Sequence, residues 1–183
     1  MLRPSARTQQ EKNALAKEGI VFLFTLFLVS GGLYLVLSPL EIHMQTLETN
    51  HVRGMLNSVG VVSRDAELPH QFSVNEKLIE ISPLCSGFVE MVLLIGAIAA
   101  TRNVSWKKRA LGIIAGVLAL YVLNLFRIVI TILQLVHTNL AFAEFTHDIL
   151  FRVGLILGFA IIYGAWSRTA TDGFLEKSTK GVH

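Results

Sequence analysis

Four long apolar runs dictate what this chain can fold into. Gly19–Leu37 has 19 residues and no charge; Leu84–Ala100 has 17 and one acid, Glu90. Ala110–Val136 has 27 residues and one base, Arg127; Ile149–Trp166 has 18 and one base, Arg152. A bilayer core about 30 Å thick takes roughly 17–25 helical residues to cross, so each run is long enough to span it. In lipid every backbone polar group must be paired within the chain, which leaves helices or closed barrels. A barrel needs short segments of alternating polarity, and these runs do not alternate. Composition agrees: the chain is 52% hydrophobic and 16% charged, against about 25% charged in an average globular chain. The expected fold class is an all-α membrane protein, one integral domain over 1–183. Its four spans are placed at about 19–38, 84–100, 110–136 and 147–166, with a loop over 39–83. The first run is longer than a signal-peptide core and no A-x-A-like cleavage site follows it, so it reads as a retained signal anchor.

The basic residues orient the spans. Arg3, Arg7, Lys12 and Lys17 precede the first run; Arg102, Lys107, Lys108 and Arg109 lie between the second and third; Arg168, Lys177 and Lys180 follow the fourth. The stretch His137–Thr146 has no Lys or Arg, and the 46 residues of Ser38–Pro83 carry only Arg53, Arg64 and Lys77. By the positive-inside rule both termini are cytoplasmic and the long loop faces outward. Localisation to the cytoplasmic membrane, multi-pass, follows. Within that loop, Met44, Leu47, His51, Met55 and Val59 fall near one helical face and suggest an amphipathic helix on the membrane surface. Beyond it, Val59–Val62, Gln71–Val74 and Lys77–Ile81 alternate in polarity, with turn residues Asp65, Pro69 and Asn75-Glu76 between them. Short strands forming a small outer sheet are expected there.

Charged residues inside apolar spans are costly, about 2.5–3.5 kcal/mol each on insertion scales, and mark sites or internal pairs. Asn124, Arg127, Thr131 and Gln134 are spaced 3, 4 and 3, so they share one narrow face of a helix with about 100° per residue. Arg127 stands nine residues before Val136, about 13 Å from the outer end of its run. The stripe therefore opens toward the outer leaflet.

Cys85 is the only cysteine, which excludes an internal disulfide and a multi-cysteine zinc site. It lies in Ser82-Pro83-Leu84-Cys85-Ser86-Gly87. Ser82 suits an N-cap and Pro83 a first helical position, which puts Cys85 in a first turn where the helix dipole favours thiolate. A small buried hydrophobe is the plainer alternative for such a residue, and polar Ser86 beside it weighs against that. His147, in Glu144-Phe-Thr-His-Asp148, also falls on the outer side. Cysteine as nucleophile, histidine as acid/base and arginine as anion stabiliser make up an acyl-transfer set. The remaining histidines have no metal-site spacing and no H-E-x-x-H occurs, so no metal and no cofactor is expected, and no nucleic-acid partner.

Cys85-Ser86-Gly87 at the start of one membrane helix, Asn124-x-x-Arg127-Ile128 in the next and His147 before the last together resemble the exosortase/archaeosortase family over roughly Leu78 to Trp166. That resemblance implies a polytopic membrane cysteine transpeptidase. It implies substrate proteins bearing a C-terminal motif, a hydrophobic helix and a basic tail, with the new carboxyl end passed to an acceptor, in some members a lipid. It makes Cys85 the nucleophile and Arg127 the arginine of the site. The third position is His in exosortases and Arg in some archaeosortases, so His147 and Arg152 are both candidates; His147 is favoured because it can shuttle a proton near neutral pH. Asn124, Ser86 and Glu90 are supporting candidates, Glu90 as a counter-charge. With four spans the chain would be a compact member. Two classes compete: a membrane protease using the same residues, which would release a free carboxyl end, and a small non-enzymatic transporter or assembly subunit with the Arg127 stripe lining a path, for which no inverted repeat speaks.

Overall fold

A computed structural model describes residues 9–138, 145 and 153–180. Helix α1 (Gln9–Leu37) passes through a 3-10 turn, Ser38–Leu40, into α2 (Glu41–Ser58). A small sheet follows, then α3 (Phe88–Ala100), α4 (Trp106–His137) and α5 (Leu155–Lys180). The runs Lys12–Ser58 and Trp106–His137 are each long and apolar enough to cross a membrane; Phe88–Ala100 and Leu155–Ala170 are apolar but shorter.

Pro39 explains the break between α1 and α2. It has no N–H to give the Leu35 carbonyl, and the Ser38 hydroxyl donates to that carbonyl instead, at 3.3 Å. The run also bends here. Tyr34 meets the Phe88 ring at the start of α3. Met44 lies ten residues farther on, about 15 Å along a straight helix. Yet Met44 packs against the cluster formed by Met91, Leu94, Ile98 and Leu120, which starts one turn into α3 from Phe88. The α2 helix therefore turns across the bundle and lies against α4.

α1 packs along α3 in the opposite direction: Leu26 and Ser30 face Gly96, and Phe22 meets Tyr163 of α5. A belt of apolar side chains stays exposed, including Phe24, Phe27, Leu35, Leu111, Ile114, Leu118, Ile156 and Ile161. An apolar surface of this extent is not stable in water and suits lipid contact.

The sheet is antiparallel in the order β1 (Ser63–Asp65), β2 (Gln71–Val74), β3 (Lys77–Glu80). Val74 pairs with Lys77 across the two-residue loop Asn75-Glu76, and both loop residues have positive φ, 48° and 64°. That is the type I′ geometry whose twist matches a hairpin. The second and third strands lie where alternation placed them. The first expected strand, Val59–Val62, does not form, because Val59–Val61 is used to close α2: Val61 N–H donates to Leu56 O at 2.9 Å, with Gly60 at φ 84°, a helix C-cap that favours glycine. Strand β1 is Ser63–Asp65 instead, and Asp65, expected in a turn, pairs with Phe72.

The face α2 buries also differs from expectation. Gln45, Glu48, Thr49, Val52 and Leu56 are buried, whereas Leu47 and Val59 are exposed. Val52 and Leu56 join Phe72, Val74 and Ile81 of the sheet segment and Leu125, Ile128, Val129 and Ile132 of α4 in one core. The sheet and α2 thus form a cap over the C-terminal half of α4. That half needs one: α4 has 32 residues, about 48 Å at 1.5 Å each, well beyond a bilayer core.

Candidate active site

The residues before α3 form a turn of their own. The sequence suggested a helix from Leu84 with Ser82 as its cap; the helix begins at Phe88 instead. Cys85 N–H and Ser86 N–H both donate to Ser82 O, at 2.9 and 3.2 Å. Gly87 then takes φ 65° and ends the turn, a conformation that costs an L side chain strain. Ser86 is fully buried; its hydroxyl donates to Pro83 O at 2.8 Å and accepts Phe88 N–H at 3.3 Å. Its role is to hold the turn and start the helix. Cys85 is half-buried at the end of this turn, one turn earlier than a first-turn position in α3.

The second motif meets the first here. Asn124 and Arg127 are one turn apart on α4 and both are buried. Asn124 Nδ2 and Arg127 Nη2 donate to the Cys85 carbonyl at 3.0 and 2.7 Å. The positive φ favours glycine at 87, and a Cβ there would stand 3.2 Å from the Asn124 side chain, a tight contact that Asn124 would have to yield to. Arg127 is close enough to the Cys85 sulfur and to Glu90 to interact electrostatically with both. Thr131 bonds back to Arg127 O at 2.9 Å, and with Cys85, Ile79, Ile81, Ile128 and Ile132 it lines a cavity of about 120 Å³. Gln134, the last residue of the stripe, does not line that cavity.

Glu48 completes the cluster and was not among the candidates. It sits in the middle of α2, fully buried, and its Oε1 accepts Asn124 Nδ2 at 2.8 Å. Among the described residues its Oε2 and the Asn124 Oδ1 have no hydrogen-bond partner. Burial pushes the Glu48 carboxyl up to about 8, against the pull of the Asn124 hydrogen bond and the Arg127 charge. The available signal was the spacing of Glu48, Val52 and Leu56, which places an acid on the same face as two core aliphatics. His147 and Arg152 lie outside the described residues.

The model of the transmembrane exosortase family matches residues 13–164. The chain belongs to the transmembrane exosortase family. The match takes in α1, the cap, the Cys85 turn and α4 together, wider than the motif-bearing stretch alone. No curated protein and no solved structure matches the chain. As an exosortase it is a membrane protein of a transpeptidase family whose members act on proteins with C-terminal sorting signals.

Proposed function

We propose that this exosortase is a membrane-embedded cysteine transpeptidase. It cleaves the C-terminal sorting signal of surface proteins at the outer face of the cytoplasmic membrane and transfers the new carboxyl end to an acceptor, a lipid among the candidates. It crosses the membrane four times with both termini inside. The observation that carries this reading is the double grip of Asn124 and Arg127 on the Cys85 carbonyl. It ties a lone, half-buried cysteine to a buried arginine, and thiols beside a fixed cation ionise more readily.

In the proposed reaction the Cys85 thiolate attacks the scissile carbonyl, forming a C–S bond and an oxyanion. Arg127 stabilises the thiolate before attack and the anion after it. Collapse breaks the C–N bond, and His147 gives the departing nitrogen its proton. The thioester is then attacked by the acceptor, whose proton His147 accepts, and the thiolate is restored. The apolar cavity beside Cys85 is the place for substrate side chains flanking the scissile bond. Glu90 supplies counter-charge to Arg127. The test is conversion of a substrate carrying a motif, an apolar helix and a basic tail. Cys85→Ala abolishes conversion, and the wild-type product carries the acceptor's mass rather than that of a free acid. Conversion that survives Cys85→Ala would overturn the reading.

A further inference from the structure

Glu48 is an anomaly in physical terms. An acid is rarely fully buried without a pair, and this one spends its hydrogen bond on an amide rather than on Arg127. The Asn124 Nδ2 group has two N–H donors. One is aimed at Glu48 Oε1 and one at the Cys85 carbonyl, at 2.8 and 3.0 Å. The carboxyl therefore decides which way the amide faces. With Oε1 in place, the nitrogen points to the Cys85 turn; without it, the amide can rotate and leave the carbonyl to Arg127 alone. We propose that Glu48 is a positioning residue for the nucleophile: through Asn124 it fixes the Cys85 turn against Arg127, so that the outer helix α2 is part of the active site. The proposal rests on Cys85 as nucleophile.

The reasoning extends to its chemistry. The groups that face Glu48 are Asn124 and Arg127 of α4 and the Cys85 turn, and Tyr121 of α4, whose hydroxyl is bonded to His51 of α2 at 2.6 Å. Arg127 is the fixed cation among them. Burial keeps the proton on Glu48 near neutral pH, so its function there is that of a hydrogen-bonding group rather than a counter-ion. Glutamine reproduces that group, with the same reach and an Oε1 acceptor. Aspartate keeps the titrating carboxyl but withdraws it by one methylene, beyond hydrogen-bond distance of Asn124.

Because Cys85 is the only thiol, its alkylation by a small maleimide reads the turn directly, with no substrate present. The measurement is the rate constant against pH in membranes of the full chain, for wild type, Glu48→Gln and Glu48→Asp, at matched folded levels. Expected is a Gln variant within about threefold of wild type and an Asp variant at least tenfold slower at neutral pH, with its profile moved to higher pH as the thiol loses Arg127. Equal rates in all three, or an Asp variant faster than the Gln variant, would overturn the positioning role. This readout is independent of sorting. Conversion surviving Cys85→Ala would sink the transpeptidase reading, while the alkylation series would still decide whether Glu48 sets the turn.

Discussion

The two halves of α4 solve different problems with one helix. In its N-terminal half small residues let neighbours approach: Trp166 of α5 lies over Gly112, and Leu94 and Ile162 lie over Gly116. Polar contacts there are at the end, where Trp166 Nε1 donates to Lys108 O and Lys108 Nζ to Ala170 O. Leu111, Ile114 and Leu118 remain exposed on the far side. This is packing without a hydrophobic drive between helices, as in lipid. The C-terminal half is wrapped by α2 and the sheet, and under that wrapping sit Glu48, Asn124 and Arg127. The lesson is that polar side chains enter the helix where a cap excludes both lipid and water and supplies partners. On the proposed function, the chemistry and the cap are one structure.

The largest expected effect probes the capped half. Arg127→Lys keeps the charge but loses the planar fork that reaches the Cys85 carbonyl. Losing one directed donor of this kind costs about 10²–10³ in rate. Substrate conversion at matched membrane levels should therefore fall nearly as far for Lys as for Ala. Near-native activity in the Lys variant would mean that position-independent charge is enough, and the contrast between the halves would lose its functional meaning.

The next prediction concerns the acid under the cap. Its carboxyl is raised from 4.5 to about 8, chiefly by burial. A folded state that disfavours the ionised form carries no penalty below pH 4.5. It loses stability as pH rises from there through about 8, by a few kcal/mol at most. Glu48→Gln removes the ionisation and so this loss. The variant should melt with wild type near pH 4 and above it near pH 8.5. Melting curves that stay parallel across this range would show that Glu48 ionises freely and that the cap does not exclude water.

How legible all this was in sequence depends on the range of the interactions. The Asn124–Arg127 face follows from local periodicity, and the β2–β3 hairpin from Asn75-Glu76; both are where the sequence puts them. The start of α3 depends on a distant partner, because Gly87 packs against Asn124, and local capping rules at Ser82 could not register that. The face of α2 differs because α4 and the sheet, rather than a membrane surface, decide what it buries. Periodicity groups Met44, Leu47, His51, Met55 and Val59 as the face for a membrane surface. The buried face instead carries Gln45, Glu48 and Thr49 with Val52 and Leu56, while Ile42 and Leu47 are exposed. The partner that lets Glu48 be buried, Asn124, is on a distant helix, which local periodicity does not register.

A smaller effect is expected in the uncapped half. A Cβ on Gly112 would fall 2.0 Å from Trp166 Nε1, so Gly112→Leu forces α4 and α5 apart. Overpacking of this kind costs about 1–3 kcal/mol. Detergent-solubilised protein should melt earlier, while the alkylation rate of Cys85 in the folded fraction stays at the wild-type value. A changed alkylation rate would show that the two halves are mechanically coupled.

The smallest effect belongs to the rim of the cap. Arg53 of α2 forms an ion pair with Asp65 of β1, and the two side chains are 21% and 84% exposed. Arg53 Nε also lies 3.4 Å from Ser63 Oγ, at the limit of a hydrogen bond. A pair this open to solvent contributes about 0–1 kcal/mol, because high dielectric weakens the attraction and ordering two long side chains offsets it. What fastens β1 to α2 more firmly is Asn57, whose Oδ1 accepts Ser63 N–H at 3.0 Å and Ser63 Oγ at 3.1 Å. Arg53→Ala should therefore shift the melting temperature by no more than a few degrees, and raising the salt concentration to about 1 M, where screening acts within about 3 Å, should shrink even that difference. Cys85 alkylation should not move, since the Glu48–Asn124 contact lies under the aliphatic core of the cap rather than at its edge. A loss of alkylation rate in Arg53→Ala would mean that the rim sets the angle of α2 on α4, and that positioning of the nucleophile reaches from the active site to the edge of the sheet.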